Sequence, residues 1–256
     1  MTVARVLWVG FVTHFKIVSR SPFAIGVGAT WPIVNATLAY FMYRAGGTPK
    51  TLLYASLGSA VAGIWSMAAL DASGAIQRQR FWGTLELLVA APVRFAFVLL
   101  PMTIAIASVG IYCLGTTLVW GRIVYGIPLP LEHPLAFVLA VPATLVSVGV
   151  LGFALCMVLV RFRTAGHIGN SLEYPVWLAS GLLFPIAVLP SWSHPISWSL
   201  ATTWGMRALL HGALGGEVWR DLGMCVLLTV VYGAVGIAIL DRFLDAARRS
   251  ASLSLT

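Results

Sequence analysis

Six stretches of this sequence contain no Asp, Glu, Lys or Arg: residues 21–43, 51–70, 95–121, 133–160, 174–206 and 222–240. The shortest has 19 residues and the longest 33. About 20 apolar residues, rising about 1.5 Å each in a helix, span the roughly 30 Å hydrocarbon core of a bilayer. Each stretch is therefore long enough to cross a membrane. Backbone in lipid must satisfy its own hydrogen bonds, so the crossings are expected to be helices. A β-barrel would show short segments of alternating hydrophobicity, and none are present. Of the 256 residues, 59% are hydrophobic and 9% charged. That is too little charge to solvate a globular surface, so the composition excludes a cytosolic enzyme, a disordered chain and a nucleic-acid binder. The net charge of +8 comes from basic residues scattered between apolar stretches, without a basic patch.

The reading is an all-α polytopic membrane protein forming one domain over residues 1–256. Its six crossings are expected near 23–43, 51–71, 97–120, 135–160, 172–189 and 222–240. The fifth charge-free stretch is too long for one helix and contains Pro175, Pro185, Pro190 and Pro195. It should be one crossing followed by a broken hydrophobic segment. Six crossings place both termini on one side. Arg5, Lys16, Arg20, Arg78, Arg80, Arg94, Arg161, Arg163, Arg242, Arg248 and Arg249 would share that side, against Arg44, Lys50, Arg122, Arg207 and Arg220 on the other. The positive-inside rule then puts both termini in the cytoplasm of a cytoplasmic (inner) membrane. The apolar run Val6–Val12 is short and is not followed by a small-x-small cleavage site. Residues 3–20 instead suit an amphipathic helix in the cytoplasmic interface.

Catalytic chemistry is hard to find. The five histidines (His14, His133, His167, His194 and His211) make no HExxH, and Leu178-Ala179-Ser180-Gly181 fails the GxSG pattern of a serine hydrolase. Lys16 and Lys50, the two lysines, stand in contexts that cannot form a phosphate-binding GxxxxGK[ST] loop. The chain is expected to bind no cofactor or metal and to be no enzyme by itself. Any ATP and Mg would sit on another chain. Cys113, Cys156 and Cys225 fall in three different crossings and read as small packing residues. Among titratable groups at membrane depth, Asp71 and Glu173 stand out, in interfacial or capping roles. Several small-xxx-small pairs, such as Gly58 and Ala62 or Ser59 and Gly63, allow helices to approach closely.

Two segments hold more information. Between crossings two and three, Ser73 is a plausible N-cap and Pro92 a stop, predicting a cytoplasmic helix of about 18 residues. Its first half, Gln77-Arg78-Gln79-Arg80, is polar and its second half apolar. A partner could push on such an element, or it could be a plain re-entry loop. Near the far end, Pro185, Pro190 and Pro195 recur every five residues, and Trp192, Trp198 and Trp204 every six. Repeated prolines break a helix, and tryptophan prefers the water–lipid boundary. The segment is expected to form short helices dipping into the outer leaflet, as a cap on a path or as an anchoring belt.

These two segments carry a family resemblance. Gly83-Thr84-Leu85-Glu86-Leu87-Leu88, followed by Ala91-Pro92, resembles the GTLExL…P motif of ABC-2 type transporter permeases. Ser180-Gly181-Leu182-Leu183-Phe184-Pro185, Leu189-Pro190-Ser191-Trp192 and Arg207 to Gly212 are similar to a second motif of that family. The resemblance implies that Gln77, Arg78, Gln79, Arg80, Gly83, Thr84 and Glu86 couple to an ATPase. It implies that Pro185, Pro190, Trp192, Pro195, Trp198 and Arg207 form an external re-entrant gate. It implies a permease working with two ATP-binding subunits and a second permease chain, identical or homologous, in a lipid bilayer. The family often has an acid before the first motif, and here that place is basic, so the docking partner should present acidic groups. The expected cargo is hydrophobic or amphipathic, drug- or lipid-like. A lipid-linked glycan, or an ATP-independent secondary transport mode, is the alternative.

Overall fold

The computed structural model describes residues 3–44, 48–81, 83, 94–159, 168–169 and 171–250. Among them the secondary structure is helical. In chain order the helices are α1 (Val3–Ser19), α2 (Pro22–Arg44), α3 (Pro49–Phe81), α4 (Ala96–Val109), α5 (Ile111–Tyr125), α6 (Pro134–Leu159), α7 (Glu173–Ala179), α8 (His194–Ser199), α9 (Ala201–Leu214) and α10 (Val218–Ser250). Two 3₁₀ turns, Ile186–Val188 and Ser191–Ser193, lie between α7 and α8.

Five helical stretches are long and apolar enough to cross a membrane: Ile25–Met42, Pro49–Ala69, Ala96–Tyr125, Pro134–Val158 and Val218–Arg242. They match five of the six expected crossings. The stretch Ala96–Tyr125 is two helices meeting at Gly110, whose N–H bonds to the carbonyl of Ala107 in a tighter turn (2.9 Å). Gly110 is pressed against Ile64, so a side chain there would collide at 2.7 Å. The fifth expected crossing, 172–189, is corrected. Its helix ends after Ala179, because Gly181 turns into the left-handed region (φ 70°) and the chain beyond is extended at Pro185.

The separate helix expected to start at Ser73 is also corrected. The α3 helix runs from Pro49 through Ser73 to Phe81 without a break. No proline lies in that interval to stop it, and a Ser-Gly step alone does not. The backbone turns at Gly83 (φ 65°), a conformation that favours glycine. Residues 84–93 lie outside the described residues. The α3 helix thus continues 12 residues past its apolar span, about 18 Å of further rise.

Close approaches give the register. The α10 helix runs parallel to α6: Cys225 Sγ lies 3.8 Å from the carbonyl oxygen of Ala143, and Gly236 abuts Phe153. The α9 helix runs antiparallel to α6, with Gly212 against Phe137 and Gly205 against Thr144. Its C-terminus is tied to the loop before α6 by His133 N–H to Gly212 O (3.0 Å). One end of the bundle therefore gathers the end of α2 at Arg44, the start of α3 at Pro49 and the turns at 126–133 and 215–217, and is called here the turn face. Glycines at 58 and 63 mediate contacts, as the small-residue pattern led one to expect. Gly63 is against Pro32 of α2 (2.7 Å to a built Cβ), and Gly58 meets the Leu182 carbonyl.

The main core runs from Leu53 and Trp65 on α3 through Leu145 and Val148 on α6 to Met206 and Leu209 on α9. A second, smaller core joins Phe95, which caps α4, and Leu99 and Ile106 of α4 to Phe153, Met157 and Leu240. The α1 helix, predicted over 3–20, packs against α4, with Gly10 beside Pro101 and Val18 on the second core.

Candidate functional site

The segment 173–221 contains the densest polar chemistry inside the bundle. It starts where Glu173, in the first turn of α7, accepts a hydrogen bond from Ser66 of α3. From there the chain climbs along α3 to Gly58, against which the Leu182 carbonyl is seated. Ser66 and Gly58 are eight residues apart, so this climb covers about 12 Å. The Tyr54 hydroxyl donates to the carbonyl of Gly181, and Thr203 Oγ1 to that of Ser180 (3.2 Å). The end of α7 and the start of α9 therefore meet midway along the bundle, and residues 183–200 are an insertion between them.

The prolines organise that insertion. Pro185 and Pro190 each precede a 3₁₀ turn with an extended ψ of 138° and 144°. Pro195 sits in the first turn of α8, where its missing N–H has no helical partner to lose. Trp198 and Trp204 pack on each other with ring centroids 5.1 Å apart, while the Trp192 ring is 73% exposed. The three tryptophans thus do not share one role. Trp192 suits the boundary position expected of it, and the other two build a site.

That site centres on Arg207. Its guanidinium carbon lies 4.9 Å from the Trp198 ring and 5.3 Å from the Trp204 ring. A cation over two aromatic faces is held by their quadrupoles. Arg207 Nε is 3.3 Å from Asp221 Oδ1, an ion pair without the alignment of a hydrogen bond. The other carboxylate oxygen, Oδ2, accepts from His211 Nδ1 at 2.5 Å. Asp221 itself is fully buried (0% exposed), in the first turn of α10. An ionised carboxylate there is tolerable only because it is paired. Thr144, opposite Gly205, is ten residues into α6, about 15 Å below the turn face; Arg207 is two residues nearer, at about 12 Å.

The arginine borders a half-open cavity of about 440 Å³ lined by α3, the 180–198 segment and α9. His194 and His211 also line it, together with apolar groups including Pro185, Ile186 and Met206. The Nε2 of His194 is 3.2 Å from the carbonyl oxygen of Leu189.

Of the expected gate residues, Pro185, Trp198 and Arg207 come together at this cavity, and Pro190, Pro195 and Trp192 shape or flank the insertion. Two members were not foreseen, His211 and Asp221. Arg207 and His211 are four residues apart, and so share a helix face. That spacing, next to an acid in the first turn of the last helix, was the available signal. Of the expected coupling residues, Gln77, Arg78, Gln79 and Arg80 stand on the last turns of α3, and Gly83 is the turn beyond it. Thr84 and Glu86 lie outside the described residues.

A family model described as ABC-2 type transporter matches residues 5–214 of the chain. No curated protein matches it.

Proposed function

Since the chain belongs to the ABC-2 type transporter family, we propose that it is the permease subunit of an ATP-driven exporter in the cytoplasmic membrane. It moves a hydrophobic or amphipathic molecule, drug- or lipid-like, and separate ATP-binding subunits supply the energy. Two permease chains, identical or homologous, pair in the bilayer, and two ATP-binding subunits dock beneath them. Both termini face the cytoplasm, α1 lies at the inner interface, and the turn face is external. The pieces α7 and α9, with their insertion, replace an unbroken fifth crossing.

The observation that carries this reading is the length of α3. Its apolar span ends at Ala69, yet the helix continues to Phe81 and bears Gln77, Arg78, Gln79 and Arg80 on its last turns. A helix that leaves the membrane as one rigid rod transmits a push at its tip to the bundle core, where Leu57, Val61 and Trp65 are buried. ATP binding closes the ATPase dimer, moves the two α3 tips and shifts the bundle between access states. Glu86, in the motif just beyond the Gly83 turn, contacts the ATPase. The insertion at 183–200 closes the outer end of the path.

The test is co-purification of the full chain with a soluble ATPase, then transport and ATPase assays of Glu86→Ala. The variant should insert in the membrane normally and lose most coupling between hydrolysis and transport. Transport persisting with no ATPase present would refute the reading. Wild-type coupling in Glu86→Ala would restrict that glutamate to a structural role.

A further inference from the structure

Arg207 is the least explained charge in the bundle. An arginine about 12 Å below the turn face is expensive to bury unless it is paired and functional. Its pairing is incomplete. Asp221 faces only the Nε edge, and the two tryptophan rings, with centroids 5.1 Å apart, lie together on one side of the guanidinium carbon. The contact with Asp221 is made by Nε and not by the terminal Nη1 and Nη2 groups. These two donors form the fork that binds a carboxylate or phosphate in bidentate fashion. Arg207, His194 and His211 all border the same cavity of about 440 Å³, and no carboxylate is among its lining residues. Pro185, Ile186 and Met206 give the cavity an apolar wall, and Tyr54, Ser180 and Thr203 also line it. Asp221 is engaged from behind, by His211 and Arg207, and is sealed from solvent.

We infer that this cavity is a binding site for an amphipathic anion. Its single carboxylate or phosphate group pairs with the Nη fork of Arg207, and its apolar body lies along Pro185, Ile186 and Met206. The two rings on one side and Asp221 at the Nε edge hold the guanidinium before the ligand arrives, so little side-chain entropy is lost on binding. A neutral molecule of the same shape would leave the fork unpaired, and so binds less well. The same chemistry can come from two sources, the exported molecule or an anionic phospholipid of the outer leaflet. The inference deepens the transport reading, and the ligand's role as cargo rests on that reading.

The test uses the full chain in nanodiscs of phosphatidylcholine. The probes are 11-bromoundecanoate and its neutral analogue 11-bromoundecanol, read by bromine quenching of tryptophan fluorescence. The anion should quench saturably at a concentration about tenfold lower than the alcohol, the range of one hydrogen-bonded charge. Arg207→Gln alone would leave Asp221 buried without its cation, so the variant of choice is Arg207→Gln with Asp221→Asn, which removes both charges. It should bring the anion to the level of the alcohol. Ile186→Phe, which narrows the cavity and leaves the ion pair in place, should weaken the anion several-fold. Equal quenching by acid and alcohol, or wild-type binding in the double variant, would overturn the site. Competition by inorganic phosphate at the concentration of the amphiphile would overturn the requirement for an apolar body. Loss of quenching when phosphatidylglycerol makes up part of the nanodisc assigns the site to a resident lipid, and persistence assigns it to cargo. Loss of binding in a chain that still associates with its ATPase removes the site alone. Anion binding in a chain that associates with no ATPase removes the transport reading alone.

Discussion

Arg207 and Arg78 both border a long apolar stretch, yet the fold treats them in opposite ways. Arg207 stands on α9 within the bundle, beside two tryptophan rings on one side and paired with a carboxylate that has no solvent exposure. Arg78 stands nine residues beyond the end of the apolar span of α3, on the part of that helix that outruns the membrane core. A charge in the first setting must be neutralised locally, and its removal damages the fold. A charge in the second setting lies beyond the apolar span, and its reversal is expected to spare the fold and damage association. The difference separates a charge built into the core from one on a helix extension.

The largest effect is expected from Asp221→Ala. It leaves Arg207 without its acid and should destabilise the protein by about 3–5 kcal/mol, seen as a lower melting temperature in detergent. Adding Arg207→Gln should restore much of that loss, because the unpaired charge is gone. If the two changes were simply additive, the pair would not be coupled. Next comes Gly58→Val, which drives a side chain into the Leu182 carbonyl at the seat of the insertion. It should cost about 1–3 kcal/mol, whereas Gly26→Val, with nothing within 4 Å of its built Cβ, should leave the melting temperature unchanged. Reversal of Arg78 and Arg80 to Glu should weaken association with the ATPase about tenfold, or about 1.4 kcal/mol, without lowering the melting temperature. An unchanged complex yield and unchanged ATPase stimulation would show that the α3 tip is not the docking surface. The smallest effect is expected from Tyr54→Phe. It removes one hydrogen bond to Gly181, about 1 kcal/mol, and should loosen the insertion without unfolding the bundle, as measured by hydrogen exchange across residues 181–200.

Much of the architecture was legible in the order of residues. Five of the six charge-free stretches are helices of crossing length, since a run without charge has few ways to satisfy its backbone in lipid except by helix. The prolines at 185, 190 and 195 marked the insertion, because each removes a donor and fixes a backbone angle wherever the chain goes. The positions where the reading failed share another cause. Ser73 has the chemistry of an N-cap, but a cap forms only if the preceding helix stops, and here α3 carries on through it. Stretch 174–206 counted as uncharged because Arg207 marked its end, and that arginine was read on the outer side. The structure adds that it is only 30% exposed and sits on a helix whose depth is set by Gly205 against Thr144 and Gly212 against Phe137. Neither contact leaves a trace in local sequence.

By itself, then, the sequence determined the solvent, the helical class, the family motifs and the place where the chain must break. These depend on hydrophobicity, proline and glycine, whose effects act over one or two turns. Only the tertiary structure decided that α7 and α9 meet midway along the bundle around an insertion, that α3 is one rod from core to tip, and that Asp221 and His211 join Arg207. The reason is physical: which side chain neutralises a buried charge depends on how helices distant in sequence are set against one another, and that setting is made by contacts such as Gly58 with Leu182 and Cys225 with Ala143.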